Sequence, residues 1–190
     1  MTRSRCSQAL SRWAMALCLL SLMACGSNRP KPAELPAIAQ PMAVQTLWSF
    51  ALGEIKTPMV PVFTPQGRVV LATTAGEIVT LQMANGQLVE RVSLKETLSA
   101  AVGSDGKRHA IVTRNNQLIA IEGGKEAWRQ GLSAQVFTPP LVAGERVFVL
   151  LADRTVQAYD GASGRLLWTQ ARAGEPLVLS QSGTLMSFGN

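Results

Sequence analysis

This 190-residue chain predicts an all-β fold, a β-propeller of four-stranded antiparallel blades, on three observations. Ala158 to Trp168 reads as strand, turn, strand: Thr155 to Tyr159 runs into Asp160-Gly161-Ala162-Ser163-Gly164, and Arg165 to Thr169 returns carrying Trp168. Four of these five residues, Asp160, Gly161, Ser163 and Gly164, are of the types that make Asx or Ser turns or tolerate a left-handed backbone. The hairpin also recurs: Trp128 follows Gly124 at the offset that separates Trp168 from Gly164, Glu90 follows Gly86 at the same offset, and the series opens at Trp48. Marks at 48, 90, 128 and 168 give intervals of 42, 38 and 40 residues. A period near forty built of short strands is the signature of propeller blades.

Composition narrows the functional classes. The net charge is +6, but Arg3, Arg5 and Arg12 lie in a leader-like segment, leaving roughly +3 scattered over the body, where a nucleic-acid binder concentrates a basic face. Of the three cysteines, Cys6 and Cys18 fall in that segment and Cys25 at its end. The body after Cys25 therefore has no thiol for a disulfide, a metal site or a nucleophile.

The elements follow in order. Residues 1–24 are expected to be a signal peptide: a basic start, then the apolar run Trp13 to Met23, which has the length of a signal core and is too short for a membrane span. Leu22-Met23-Ala24-Cys25 resembles the lipobox of bacterial lipoproteins. That resemblance implies cleavage between Ala24 and Cys25 and lipidation of Cys25; the alternative is ordinary secretory cleavage near Ala24 beside an incidental cysteine. Gly26 stands where an inner-membrane retention signal usually has Asp, which favours the outer membrane. Residues 25–43 are the lipidated N-terminus and a tether. Pro30, Pro32, Pro36 and Pro41 make Gly26 to Met42 an extended spacer that reaches about 50 Å at about 3.1 Å per residue.

The propeller part is expected over 44–190. Val44 to Phe50 reads as an amphipathic strand with a repeat-type tryptophan and no upstream strands, suited to completing a last blade. The first repeat has strands at Thr57 to Phe63, Arg68 to Thr73, Ile78 to Leu81 and Leu88 to Val92. The second has Ser99 to Val102, His109 to Thr113, Leu118 to Ile121 and Glu126 to Arg129, its last turn two residues shorter. The third has Thr138 to Val142, Arg146 to Leu151, Thr155 to Tyr159 and Arg165 to Thr169. Val147 to Leu151 is apolar throughout, as for a middle strand covered on both faces. Pro176-Leu177-Val178-Leu179 then intervenes before an inner strand expected over Thr184 to Phe188. About three blades and part of a fourth cannot close a ring, so the sequence reads as part of a longer propeller.

Ala158-x-Asp160-x-x-Ser163-Gly164-x-x-x-Trp168 resembles the tryptophan-docking motif of the quinoprotein (PQQ-like) propellers, with Ser163 where Thr is usual. The second repeat keeps Ala120 and Trp128, and the first has Glu90 in the tryptophan position. In that family the motif is structural, the indole packing on the neighbouring blade. The lipobox, the tether, Leu47-Trp48-Ser49 and the leucine segment together resemble the outer-membrane assembly lipoproteins within it, which form eight-bladed propellers. That resemblance implies a non-enzymatic scaffold of the β-barrel assembly (BAM) machinery, without a cofactor, that binds the periplasmic POTRA domains of BamA. It implies Leu177 and Leu179 as contacts, with Ser180 in the place of the family's arginine. A PQQ-dependent quinoprotein dehydrogenase and a substrate-binding periplasmic propeller remain the alternatives. The lone His109 is expected at a solvated position, and Asp153 and Asp160 in turns.

Overall fold

A computed structural model describes residues 44–56, 59–171 and 184–188. Among the described residues twelve strands form three four-stranded antiparallel sheets, each running in chain order from inner to outer edge. The first holds β1 (Val62–Thr64), β2 (Arg68–Ala72), β3 (Glu77–Gln82) and β4 (Leu88–Ser93). The second holds β5 (Gly103–Ser104), β6 (Arg108–Val112), β7 (Gln117–Glu122) and β8 (Lys125–Gly131). The third holds β9 (Leu141–Ala143), β10 (Arg146–Leu150), β11 (Thr155–Asp160) and β12 (Leu166–Ala171). The three blades read from the periodicity are therefore present.

Each third-to-fourth-strand hairpin is built alike. Gly86, Gly124 and Gly164 have positive φ, which costs glycine nothing and an L side chain roughly 1–2 kcal/mol. A register shift falls at the same place in each, between Thr80 and Leu81, Ala120 and Ile121, and Ala158 and Tyr159. The residue across from the repeat mark is Thr80 opposite Glu90, Ala120 opposite Trp128 and Ala158 opposite Trp168.

The core lies between blades, and alternation along the strands assigns each residue to one neighbour. Ile111, Ile119 and Ile121 pack with Val70, Ile78 and Val102 between blades one and two. Ala110, Val112, Leu118 and Ala120 pack with Val142, Val147, Val149 and Tyr159 between blades two and three. All five residues of β6 are buried as a result.

Four expectations are corrected. The strands with both faces covered include β6 and β7, whereas β10 alternates between buried and half-buried or exposed residues, because among the described residues no further blade covers its Phe148 face. The second inner strand is Gly103–Ser104 and not Ser99 to Val102. There the backbone passes so near the Pro140 carbonyl that a Cβ on Gly103 would collide with it. Residues 44–50 form no strand among the described residues, although Trp48, Phe50 and Leu52 pack on Val69, Val79 and Leu81 of the first blade. Residues 184–188 likewise have no strand.

Candidate functional site

The predicted docking residues come together at the joint between blades two and three, but the indole in the joint is that of the preceding blade. Trp128, 8% exposed, lies over the β11–β12 turn, and a Cβ on Gly164 would fall 2.6 Å from its ring. Its Nε1–H donates to the Gly161 carbonyl at 2.7 Å, and Tyr159 stacks on it with centroids 6.2 Å apart. Asp160 shapes the turn by accepting from the Ser163 N–H at 2.8 Å and from its hydroxyl at 2.7 Å. Those bonds to Ser163 hold the Asp160 carboxyl below the usual carboxylate range by favouring the charged acceptor. Ser163 thus serves where threonine is usual, since the hydroxyl does the work. Ala158 is fully buried.

Trp48 repeats this geometry on the first blade. A Cβ on Gly86 would lie 2.6 Å from its ring, and its Nε1–H donates to the Met83 carbonyl at 2.8 Å. Met83 and Gly161 both stand three residues before the turn glycine, so the two docks use one acceptor position. Arg91 holds the same segment, its guanidinium 5.8 Å from the Phe50 ring centroid and 3.2 Å from Glu77.

Trp168 docks on no turn glycine among the described residues. It is 44% exposed and tilts against Phe148 at 6.0 Å between centroids. Leu166 on the same outer strand is also exposed.

The joint between blades one and two is polar. Glu90 occupies the indole's place, its Oε1 3.3 Å from where a Cβ on Gly124 would lie. Its Oε2 stands 3.1 Å from His109 Nε2, and His109 Nδ1 is 2.8 Å from Ser104 Oγ. His109 is 3% exposed, so the solvated position read from the sequence is wrong. Alternation places His109 two residues before Ile111, on the face of β6 turned to the first blade, and that was the signal available for it. Beside this chain, Arg108 and Lys107 hold Glu122 at 2.6 and 3.1 Å and keep its carboxyl below the usual range. At the surface Arg129 bridges Glu96 at 3.0 Å and Glu126 at 2.9 Å, a link of modest worth in solvent.

Along the inner strands runs a cavity of about 790 Å³, lined by Val60, Val62, Val102, Phe137 and Leu141, with Arg114 contributing charge. Asp153 is a turn former as read, accepting from the Thr155 N–H at 2.9 Å. Ala24, Cys25, Leu177 and Leu179 lie outside the described residues.

Comparison with known proteins gives the family. The family model for outer membrane protein assembly factor BamB matches residues 74–187. The chain is 29% identical over 174 residues to BamB of Bordetella pertussis, covering 90% of this chain and 45% of that one. To BamB of Burkholderia pseudomallei it is 28% identical over 181 residues, covering 93% and 48%. It thus spans about half the length of the curated relatives it matches. Among solved structures, BamB from Moraxella catarrhalis superposes with a TM-score of 0.56 at 23% identity, over 68% of this chain and 40% of that one. A europium-containing methanol dehydrogenase superposes with a TM-score of 0.54 at 17% identity, over 68% and 27%. At these identities the two structures speak for the propeller fold alone. The match over residues 74–187, which spans more than half of the chain, shows that this chain belongs to the BamB family of outer membrane protein assembly factors.

Proposed function

We propose that the chain is a non-enzymatic scaffold of the outer-membrane β-barrel assembly machinery, binding the POTRA domains of BamA and assisting insertion of outer-membrane proteins. The observation that carries this reading is the family match over residues 74–187, which includes the leucine segment and the second and third blades. In this reading residues 1–24 are removed as a signal peptide. Cys25 becomes the lipidated N-terminus on the periplasmic face of the outer membrane, and 25–43 tether the propeller part, 44–190. Two or more acyl chains give stable anchorage where a single one is marginal.

Leu177 and Leu179 are the proposed contacts to BamA. They follow the third blade's outer strand, and apolar residues grouped in a connection between blades suit an interaction site. Ser180 lacks the charge that strengthens a hydrogen bond, so the contact rests on the two leucines. The test is affinity purification of the tagged chain from detergent-solubilised membranes. BamA is expected to co-purify, and Leu177→Ala with Leu179→Ala to cut the yield several-fold at an unchanged melting temperature. Recovery of BamA equal to the unmutated chain's, or loss only together with unfolding, would overturn the contact. Absence of BamA from the unmutated preparation would overturn the scaffold reading itself.

A further inference from the structure

The polar residues at the joint of blades one and two are not scattered departures from the repeat. Thr80 stands where Ala120 and Ala158 stand in the other blades, and Glu90 where Trp128 and Trp168 do. His109 takes the place of Val147, and Ser104, its partner across the sheet, that of Val142. All four polar substitutions fall at one joint, and three of them form the hydrogen-bonded chain from Glu90 through His109 to Ser104. Without an indole the joint holds a cleft of about 470 Å³, lined by Arg68, Thr80, Glu90, Lys107, His109 and Glu122 among others. That volume lies within the range of small-molecule sites.

Two donors of this cleft have no partner within the protein among the described residues. Thr80 is 3% exposed, and its hydroxyl has no hydrogen-bond partner among the described residues, an unfavourable state for a buried donor. Arg68 is the second. The arginines that open the middle strands face an acid across the sheet in the other blades, Arg108 opposite Glu122 and Arg146 opposite Asp160, whereas Arg68 faces uncharged Gln82. The half-buried Arg68 guanidinium has no carboxylate partner among the described residues. The acids of the cleft are engaged elsewhere, Glu122 by Arg108 and Lys107, and Glu90 by His109.

We propose that this cleft binds a small oxyanion, the carboxylate or phosphate group of a small molecule, with Arg68 as its principal cation and the Thr80 hydroxyl as a second donor. A planar guanidinium matches either group with two parallel hydrogen bonds. The inference goes beyond the assembly reading and does not rest on it.

The chain contains one histidine, and it lines the cleft, so the imidazole signals of His109 in a nitrogen-15 correlation spectrum of the isotopically enriched protein report the site without an attached probe. At fixed pH and ionic strength, inorganic phosphate and acetate are titrated separately, with chloride as the control. The expected result is a saturable displacement by phosphate, by acetate or by both, which identifies the preferred group, and none by chloride. Arg68→Gln should weaken that binding at least about tenfold, as loss of a charge-assisted pair does, with the unliganded His109 signals in place. Thr80→Val, nearly isosteric, should weaken it several-fold and decides the matter if the Arg68 variant does not fold. Failure of both anions to displace the signals saturably, or undiminished affinity in folded Arg68→Gln or Thr80→Val, would overturn the proposal.

Discussion

Trp128 of the second blade donates its indole N–H to the carbonyl of Gly161 in the third at 2.7 Å, while its ring lies where a Cβ on Gly164 would be. One residue thereby satisfies a turn carbonyl, covers a glycine and buries its own apolar surface. The joint is both a packing contact and a directional one.

Replacing that indole should cost much of the stability of the described blades. Trp128→Ala removes a nearly buried ring and leaves a cavity, for which about 3–5 kcal/mol is usual. Trp128→Phe keeps most of the packing, loses the bond to Gly161, and should cost less. Urea denaturation followed by circular dichroism checks the order; equal losses in the two variants would mean that the bond dominates and the packing does not.

Two glycines with nearly the same backbone separate strain from contact. Gly67 has φ +69 with nothing within 4 Å of an added Cβ, whereas Gly164 has φ +72 with the Trp128 ring 2.6 Å away. Gly67→Ala should therefore cost only the left-handed penalty of roughly 1–2 kcal/mol, and Gly164→Ala clearly more. Similar denaturation midpoints for the two variants would contradict the dock.

Asp160 sets a pH dependence. Its folded carboxyl titrates below the ordinary value because Ser163 donates to the charged form. A depressed folded value gives stability that is present above the unfolded value, near pH 4, and is lost as pH falls through the lower folded one. Asp160→Asn should lose that contribution at neutral pH and flatten the acid limb of a melting-temperature profile, measured between pH 2 and 7. An acid limb identical to that of the unmutated chain would assign the effect to other groups.

Trp168 and Trp128 should differ in solution as they do in exposure, 44% against 8%. Acrylamide should quench Trp168 emission, isolated by difference from Trp168→Phe, well before that of Trp128. Because Trp168 is a large exposed apolar residue on an outer strand, Trp168→Ser should also lower concentration-dependent association in sedimentation velocity. Association unchanged by the substitution would place the adhesive surface elsewhere.

What the sequence determined by itself was local. Turn clusters such as Asp160 to Gly164, period-two apolar runs and the forty-residue recurrence encode three blades, because a turn needs particular backbone angles and a strand needs alternation. Both conditions are met within a few residues of chain. The inner strands were the least legible: β5 is two residues long, and its position is set by the approach of Gly103 to Pro140 in the next blade. Tertiary structure alone decided what fills each joint. Trp48 closes on Gly86 and Trp128 on Gly164, while Glu90, His109 and Ser104 meet beside Gly124. His109 was readable as one face of a strand but not as the partner of Glu90, nineteen residues earlier. The face a strand turns toward follows from its own alternation; what it meets there depends on a residue of another blade, brought within 3.1 Å only when the blades stack.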